Sequence, residues 1–209
     1  MPSASYFGGR VLDYQVGKTA MPTLPVAYIA LFTVIGARDG TGFTECTVAR
    51  LATAGSDWNA ASGAPRANSN ATALTMATPT PGSPETAIGW GLYDAATTGN
   101  LLFYDYLGNN QWIPFSCTSA SPGVITAPQH GLSNGDKIVM TADFGGVLPT
   151  TAGSFAGLLT VAGVSGDTFN VGVNSTASGE GSFRKVDSKS IVNGSTVTFA
   201  IGAITMKHA

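Results

Sequence analysis

Gly91-Leu92-Tyr93-Asp94-Ala95-Ala96-Thr97-Thr98-Gly99-Asn100-Leu101-Leu102-Phe103-Tyr104 decides how this chain reads. Two apolar runs flank a small polar loop in which Gly99 is free to take a positive φ, the mark of a hairpin. Leu101-Leu102-Phe103-Tyr104 is apolar on both faces. Such a strand belongs between two layers rather than at a solvated surface.

The 209 residues around it fit one large β domain or two small ones. The 27 Gly and 11 Pro punctuate short runs rich in β-branched and aromatic residues. These runs predict strands over 26–34, 44–51, 71–76, 86–93, 101–107, 124–126, 137–141, 157–164, 168–173, 196–201 and 203–207. One helix is expected over 5–16, with Phe7, Val11, Leu12 and Val16 sharing a face and Gly17 as its C-cap. It closes one end of the core, or serves as an arm that docks on a neighbour. The expected fold is all-β: a jelly-roll-like β-sandwich with a short N-terminal helix and a second small β domain inserted between late strands.

Residues 106–135 carry no Asp, Glu, Lys or Arg, and Ser116 to Pro122 reads as a connector. A second unit then runs to the charge cluster Arg184-Lys185-Val186-Asp187. The expected division is 1–117 with 186–209 as the main domain and 118–185 as the insert.

Hydrophobic residues make up 44% of the chain and charged ones 11%, with a mean hydropathy of +0.19. The charged share is less than half the ~25% of ordinary soluble domains. The longest apolar run, Val26 to Phe32, is far short of the ~20 residues a membrane-spanning helix needs. The hydrophobicity excludes a disordered chain. A net charge of −2 argues against a nucleic-acid partner, which needs a basic footprint. So few charges suit a homo-oligomer, or a chain packed against other chains. The N-terminus lacks the basic and apolar regions of a signal peptide, so synthesis in a cytoplasm is expected. Cys46 and Cys117 have no metal-ligand spacing. Two free thiols are expected there, with a disulfide left open.

Reactive chemistry is sparse. A nucleophile needs a base beside it, and the histidines are His130 and the penultimate His208. His130 lies in the turn-rich Pro-Gln-His-Gly-Leu-Ser-Asn-Gly-Asp and reads as a turn residue. The acids mostly sit in turns, where an Asp side chain bonds its own backbone. Asp94 and Asp105, flanking the hairpin, are the pair to weigh for glycan hydrolysis, which needs two carboxylates. No catalytic, cofactor-binding or metal-ligating residue is assigned. Trp58, Trp112 or Tyr106 would be sugar-stacking platforms if exposed, but buried aromatics are the expectation.

Three stretches carry a resemblance. They are Val26-Ala27-Tyr28-Ile29-Ala30-Leu31-Phe32-Thr33 after Arg10-Val11-Leu12-Asp13, the opening Gly91–Tyr104 hairpin, and Ile191 to Thr205 with its Asn193-Gly194 turn. In this order they resemble a family of small tailed-bacteriophage virion structural proteins, often labelled phage tail fibre proteins. About 75 residues intervene before the last stretch. Within them, Gly123 to Val139 and Asp167-Thr168-Phe169-Asn170-Val171 resemble a small phage β module in which His-Gly-Leu is a turn determinant. The resemblance implies a non-enzymatic virion component without cofactor, assembled in the host cytoplasm. The favoured placement is a capsid cement or decoration protein. It would stabilise the shell through contacts with the major capsid protein or other virion proteins and display the insert outward. The alternative is a tail-fibre or tail-tip protein engaged in host attachment. With either placement, a host surface glycan recognised by the insert is a further partner.

Overall fold

The computed structural model describes residues 5–20, 26–37, 39–63, 67–78, 82–108, 110–142, 148–149, 155 and 157–207. It is mostly β, with one short N-terminal helix and several antiparallel sheets. The chain divides into two compact units, Met1–Asn109 with Ser188–Ala209, and Asn110–Asp187.

The first unit is built on a five-stranded antiparallel sheet. Ala27–Val34 and Gly89–Tyr93 form its centre and Leu101–Tyr106 flanks them, while Thr44–Glu45 and Leu51–Thr53 both pair with Ala27–Val34. The expected strand over 44–51 is therefore two short ones. The register places Ile29 opposite Leu92 and Leu31 opposite Trp90 on one face, and Ala30 opposite Gly91 on the other. Gly91 is dictated by packing, because a Cβ there would meet the Phe32 ring at 2.5 Å.

Both faces of this sheet are covered, as the doubly apolar strands require. On one, Ile29, Leu31, Trp90 and Leu92 meet Leu74, Ile191, Phe199 and Ile204. On the other, Phe43 bridges Phe32 and Tyr104, with ring centroids 4.9 Å from each. The first face is roofed by three ribbons that share one direction. Glu85–Ala87 pairs with Lys189–Ile191, Leu74–Thr75 with Thr198–Phe199, and Ala67–Ser69 with Thr205–Lys207. The C-terminal segment thus zips antiparallel along 67–87 as an interrupted ladder.

The helix spans Ser5–Gln15 and buries none of its residues. Phe7 lies against Phe103 at 4.8 Å, and Gly17, at φ +71°, ends the helix by donating to Tyr14 O. The expected shared face does not form: Leu12 is 64% and Val16 78% exposed. At 3.6 residues per turn, steps of five and nine residues rotate them roughly 140° and 180° from Phe7.

The second unit is one seven-stranded antiparallel sheet. Its order is Leu159–Thr160, Lys137–Thr141, Gly179–Val186, Ile113–Cys117, Ile125–Thr126, Thr168–Asn170, Ala162–Ser165. The first and last of these strands are separated in sequence only by Val161, so the sheet curls back on itself and is nearly closed. Phe115, Ile125, Ile138, Phe169 and Phe183 fill its interior.

Two sequence expectations need correction here. Ser116 and Cys117 are not a connector: they lie in Ile113–Cys117, paired on both sides within the second sheet. The sheet therefore begins before residue 118. The charged Arg184-Lys185 lies in Gly179–Val186, which occupies an interior position between Lys137–Thr141 and Ile113–Cys117 and was not among the predicted strands. Its Gly, Glu, Ser, Arg and Lys conceal the apolar alternation on which strand reading depends.

Candidate functional site

A densely bonded polar cluster surrounds Arg50, which directly precedes Leu51–Thr53. Its side chain is 9% exposed. Nε and Nη2 donate to the two Glu45 carboxylate oxygens at 3.0 and 2.6 Å. Nη1 donates to Ala95 O and Thr98 O at 2.8 and 2.7 Å. The guanidinium lies 3.5 Å from the centroid of the Tyr93 ring. This planar, multiply donating geometry is one that Lys cannot reproduce. Burial, with the Glu45 charge beside it, pushes the Tyr93 hydroxyl up to about 12 against the opposing pull of Arg50.

The cluster holds the hairpin loop from below, and Asp94 holds it from within. Asp94 Oδ1 accepts from Asn100 N at 2.6 Å, and Oδ2 accepts from Asn100 Nδ2 at 2.8 Å. Between them Thr98 sits at φ +54° and Gly99 at +73°. A β-branched residue in the left-handed region is an outlier, costing of order 1–3 kcal/mol, and persists only where its surroundings over-determine it. The Arg50 bond to Thr98 O supplies that determination. Hollows of about 340 and 530 Å³ flank Arg50 and this loop.

Asp94 is thus a loop clasp. Asp105 lies opposite Trp90 in the strand register, four residues along from Asp94, and its Oδ1 accepts from Tyr106 N. At ~3.3 Å per residue the two carboxylates stand more than about 10 Å apart. The pairs of glycoside hydrolases span ~5–9.5 Å, so these two do not form such a pair. His130 is 7% exposed, accepts from Leu132 N on Nδ1 at 3.0 Å, and lies edge-on to Phe169 at 5.1 Å. That makes it a determinant of the turn. His208 lies outside the described residues.

Trp58 packs at the edge of the first core and donates to Thr53 Oγ1, and Tyr106 is half-buried. Trp112 is 44% exposed, with Arg184 5.6 Å from its ring. Cys46 and Cys117 are buried free thiols in different units. Burial and the Glu85 charge push the Cys46 thiol up to about 12. Among the described residues no group of three or more His, Cys, Asp or Glu is placed to hold a metal, and no helix is long and apolar enough to cross a membrane.

The sequence reading missed Arg50 and Asn70. Asn70 is fully buried. Its Nδ2 donates to Thr72 O and Ala200 O, both at 2.8 Å, and its Oδ1 accepts from Ile204 N at 2.9 Å. No sequence signal marks it, since its partners lie as far as 134 residues away.

Among the described residues, these polar side chains hold loops, and apolar ones fill three buried clusters. Residues 3–115 match the model of the family described as podophage GP4 fiber I protein gp80, which is more than half of the chain. The chain belongs to this family, a virion component of the phage fibre class. The match covers the helix and the five-stranded sheet and ends inside Ile113–Cys117. No curated protein matches the chain.

Proposed function

We propose that this protein is a non-enzymatic structural part of the virion's fibre apparatus, acting through contact area rather than catalysis. The family match over residues 3–115 carries the reading. It favours the tail-fibre placement over capsid cement. The charge-poor composition supports association with copies of itself and with other virion proteins. The cement placement keeps one observation in its favour, the absence of a stalk-forming segment among the described residues, whose one α-helix has 11 residues.

The test is to image virions by electron cryo-microscopy after decoration with a Fab raised against this chain. Label on fibre density supports the reading. Label in a regular lattice over the shell restores the cement placement, and virions without label overturn both.

A further inference from the structure

The chain holds two Asn-Gly pairs, Asn134-Gly135 and Asn193-Gly194. Such a pair sets an amide carbon beside the next backbone nitrogen, and glycine has no Cβ to hinder their approach. Both pairs are exposed, so access to water does not separate them. Hydrogen bonding does. Asn134 Oδ1 accepts from Val164 N at 3.0 Å, and Gly135 N donates to Val161 O at 2.8 Å. The carboxamide and the backbone nitrogen of that pair are therefore both held by the 161–164 segment.

Asn193 and Gly194 are the centre of a turn closed around them. Ser195 N donates to Val192 O at 3.0 Å, and Val192 N donates to Ser195 Oγ at 3.3 Å. Among the described residues, neither the Asn193 carboxamide nor the Gly194 N–H takes a hydrogen bond. The side chain is free to rotate onto the nitrogen, and no bond has to break first. The turn joins Lys189–Ile191 to Thr198–Phe199, with Ile191 and Val197 buried on either side of it.

We infer that Asn193 is a site of spontaneous deamidation by water, and that the fold directs this modification to Asn193 rather than Asn134. Gly194 N gives its proton to solvent base and attacks Asn193 Cγ. The N–Cγ bond forms, the Cγ–Nδ2 bond breaks, and ammonia leaves a cyclic imide. Water then opens the ring at one of its two carbonyls. Attack at Cγ gives aspartate with the main chain restored. Attack at the Asn193 backbone carbonyl gives isoaspartate, with the main chain rerouted through Cγ and longer by one methylene. The sum is amide plus water to carboxylic acid plus ammonia, with no change of oxidation state. Either product ionises and places one further negative charge on a chain whose net charge is −2.

The test incubates the full folded chain at pH 7 and pH 9 beside a urea-unfolded sample. Peptides are mapped by mass spectrometry with aspartyl and isoaspartyl products resolved. In the folded chain Asn193 should convert at least about ten-fold faster than Asn134. Conversion should be faster at pH 9, where the attacking nitrogen is more readily deprotonated, and isoaspartate should be among the products. In urea the two rates should converge, because the bonds that hold Asn134-Gly135 are gone. Asn193→Gln, whose longer side chain has to close a larger ring, should suppress conversion at 193 with an unchanged unfolding midpoint. The proposal is overturned if Asn134 converts as fast as Asn193 in the folded chain, or if the same preference persists in urea. It is also overturned if aspartate forms at 193 without isoaspartate, or if neither residue converts.

Discussion

Asn70 offers the sharpest test of how the first unit is closed. It is 0% exposed, and its amide joins Thr72 O, Ala200 O and the Ile204 amide in one grip on the C-terminal segment. Asn70→Ala removes all three bonds. The Ile204 N–H is left buried without a partner, at about 1–3 kcal/mol. The two carbonyls belong to exposed residues and turn to water, so each loses only the ~0.5–1.5 kcal/mol net worth of its bond. The expected destabilisation is about 2–6 kcal/mol, a large share of a domain's usual 5–15 kcal/mol.

Asn70→Asp is nearly isosteric and should be worse at neutral pH. Its carboxylate would face the two carbonyl oxygens that now accept, with no proton to offer. Its folded pKa would be raised by that contact. The added penalty is therefore full well above that pKa and fades as the pH falls through it, because the protonated acid regains one donor. Urea unfolding at pH 7 and pH 5 measures both effects, and hydrogen exchange at Ile204 reports the local opening. Should Asn70→Asp match the wild type at pH 7, or Asn70→Ala stay within about 0.5 kcal/mol, a size typical of neutral surface changes, the closing role is refuted.

Three further expectations follow from the same geometry. Arg50→Met should destabilise the first unit by at least about 1.5 kcal/mol, the lower value for one hydrogen bond to a charged group, and speed amide exchange at Asn100; unchanged exchange there counts against the clasp. Burial works against the charge of Asp136, but the Ser133 amide and Lys185, whose Nζ lies 2.9 Å from Oδ1, outweigh it and hold the carboxyl below its usual value. Its contribution is complete above the unfolded value of ~3.9 and lost as pH falls through the lower folded one, so Asp136→Asn should flatten the acid limb of the stability curve; an unaltered limb removes the assignment. Replacing residues 110–187 by a short Gly/Ser loop should leave a first unit that unfolds cooperatively, and a broad or absent calorimetric transition would show that the second unit is part of its core.

Elements with clean apolar patterning were legible in the sequence. Ala27–Val34, Lys137–Thr141 and the Gly91–Tyr104 hairpin carry their own turn and burial signals. Gly179–Val186 was hidden because its buried apolar residues, Phe183 and Val186, stand among Gly, Glu, Ser, Arg and Lys. Ile113–Cys117 was hidden by Pro114, which is tolerated where its missing N–H is not needed. Thr198–Phe199 and Thr205–Lys207 fall within foreseen strands but their partners were not foreseen, since each pairing spans more than a hundred residues. Arg50 was illegible for a related reason. A single arginine in an apolar run declares nothing until the fold brings Glu45 and the loop carbonyls to it.

The point of insertion explains how the chain accommodates its second unit. Leu107 N donates to Ile88 O at 2.9 Å as the chain leaves the first unit, and on its return Lys189 pairs with Ala87. Departure and return therefore flank adjacent residues, about two strand spacings of ~4.8 Å apart. The second unit meets the same requirement from its own side, because Asn110 Nδ2 donates to Lys185 O at 3.0 Å and ties its beginning to its end. Closure entropy rises only ~0.6 kcal/mol per doubling of loop length, so a long insertion at such a point costs little. The ladder between 67–87 and 189–207, which roofs the first core, draws all its pairings from residues outside 108–188. The Asn70 grip and these ribbons, which close the first unit, are likewise made by residues outside 110–187.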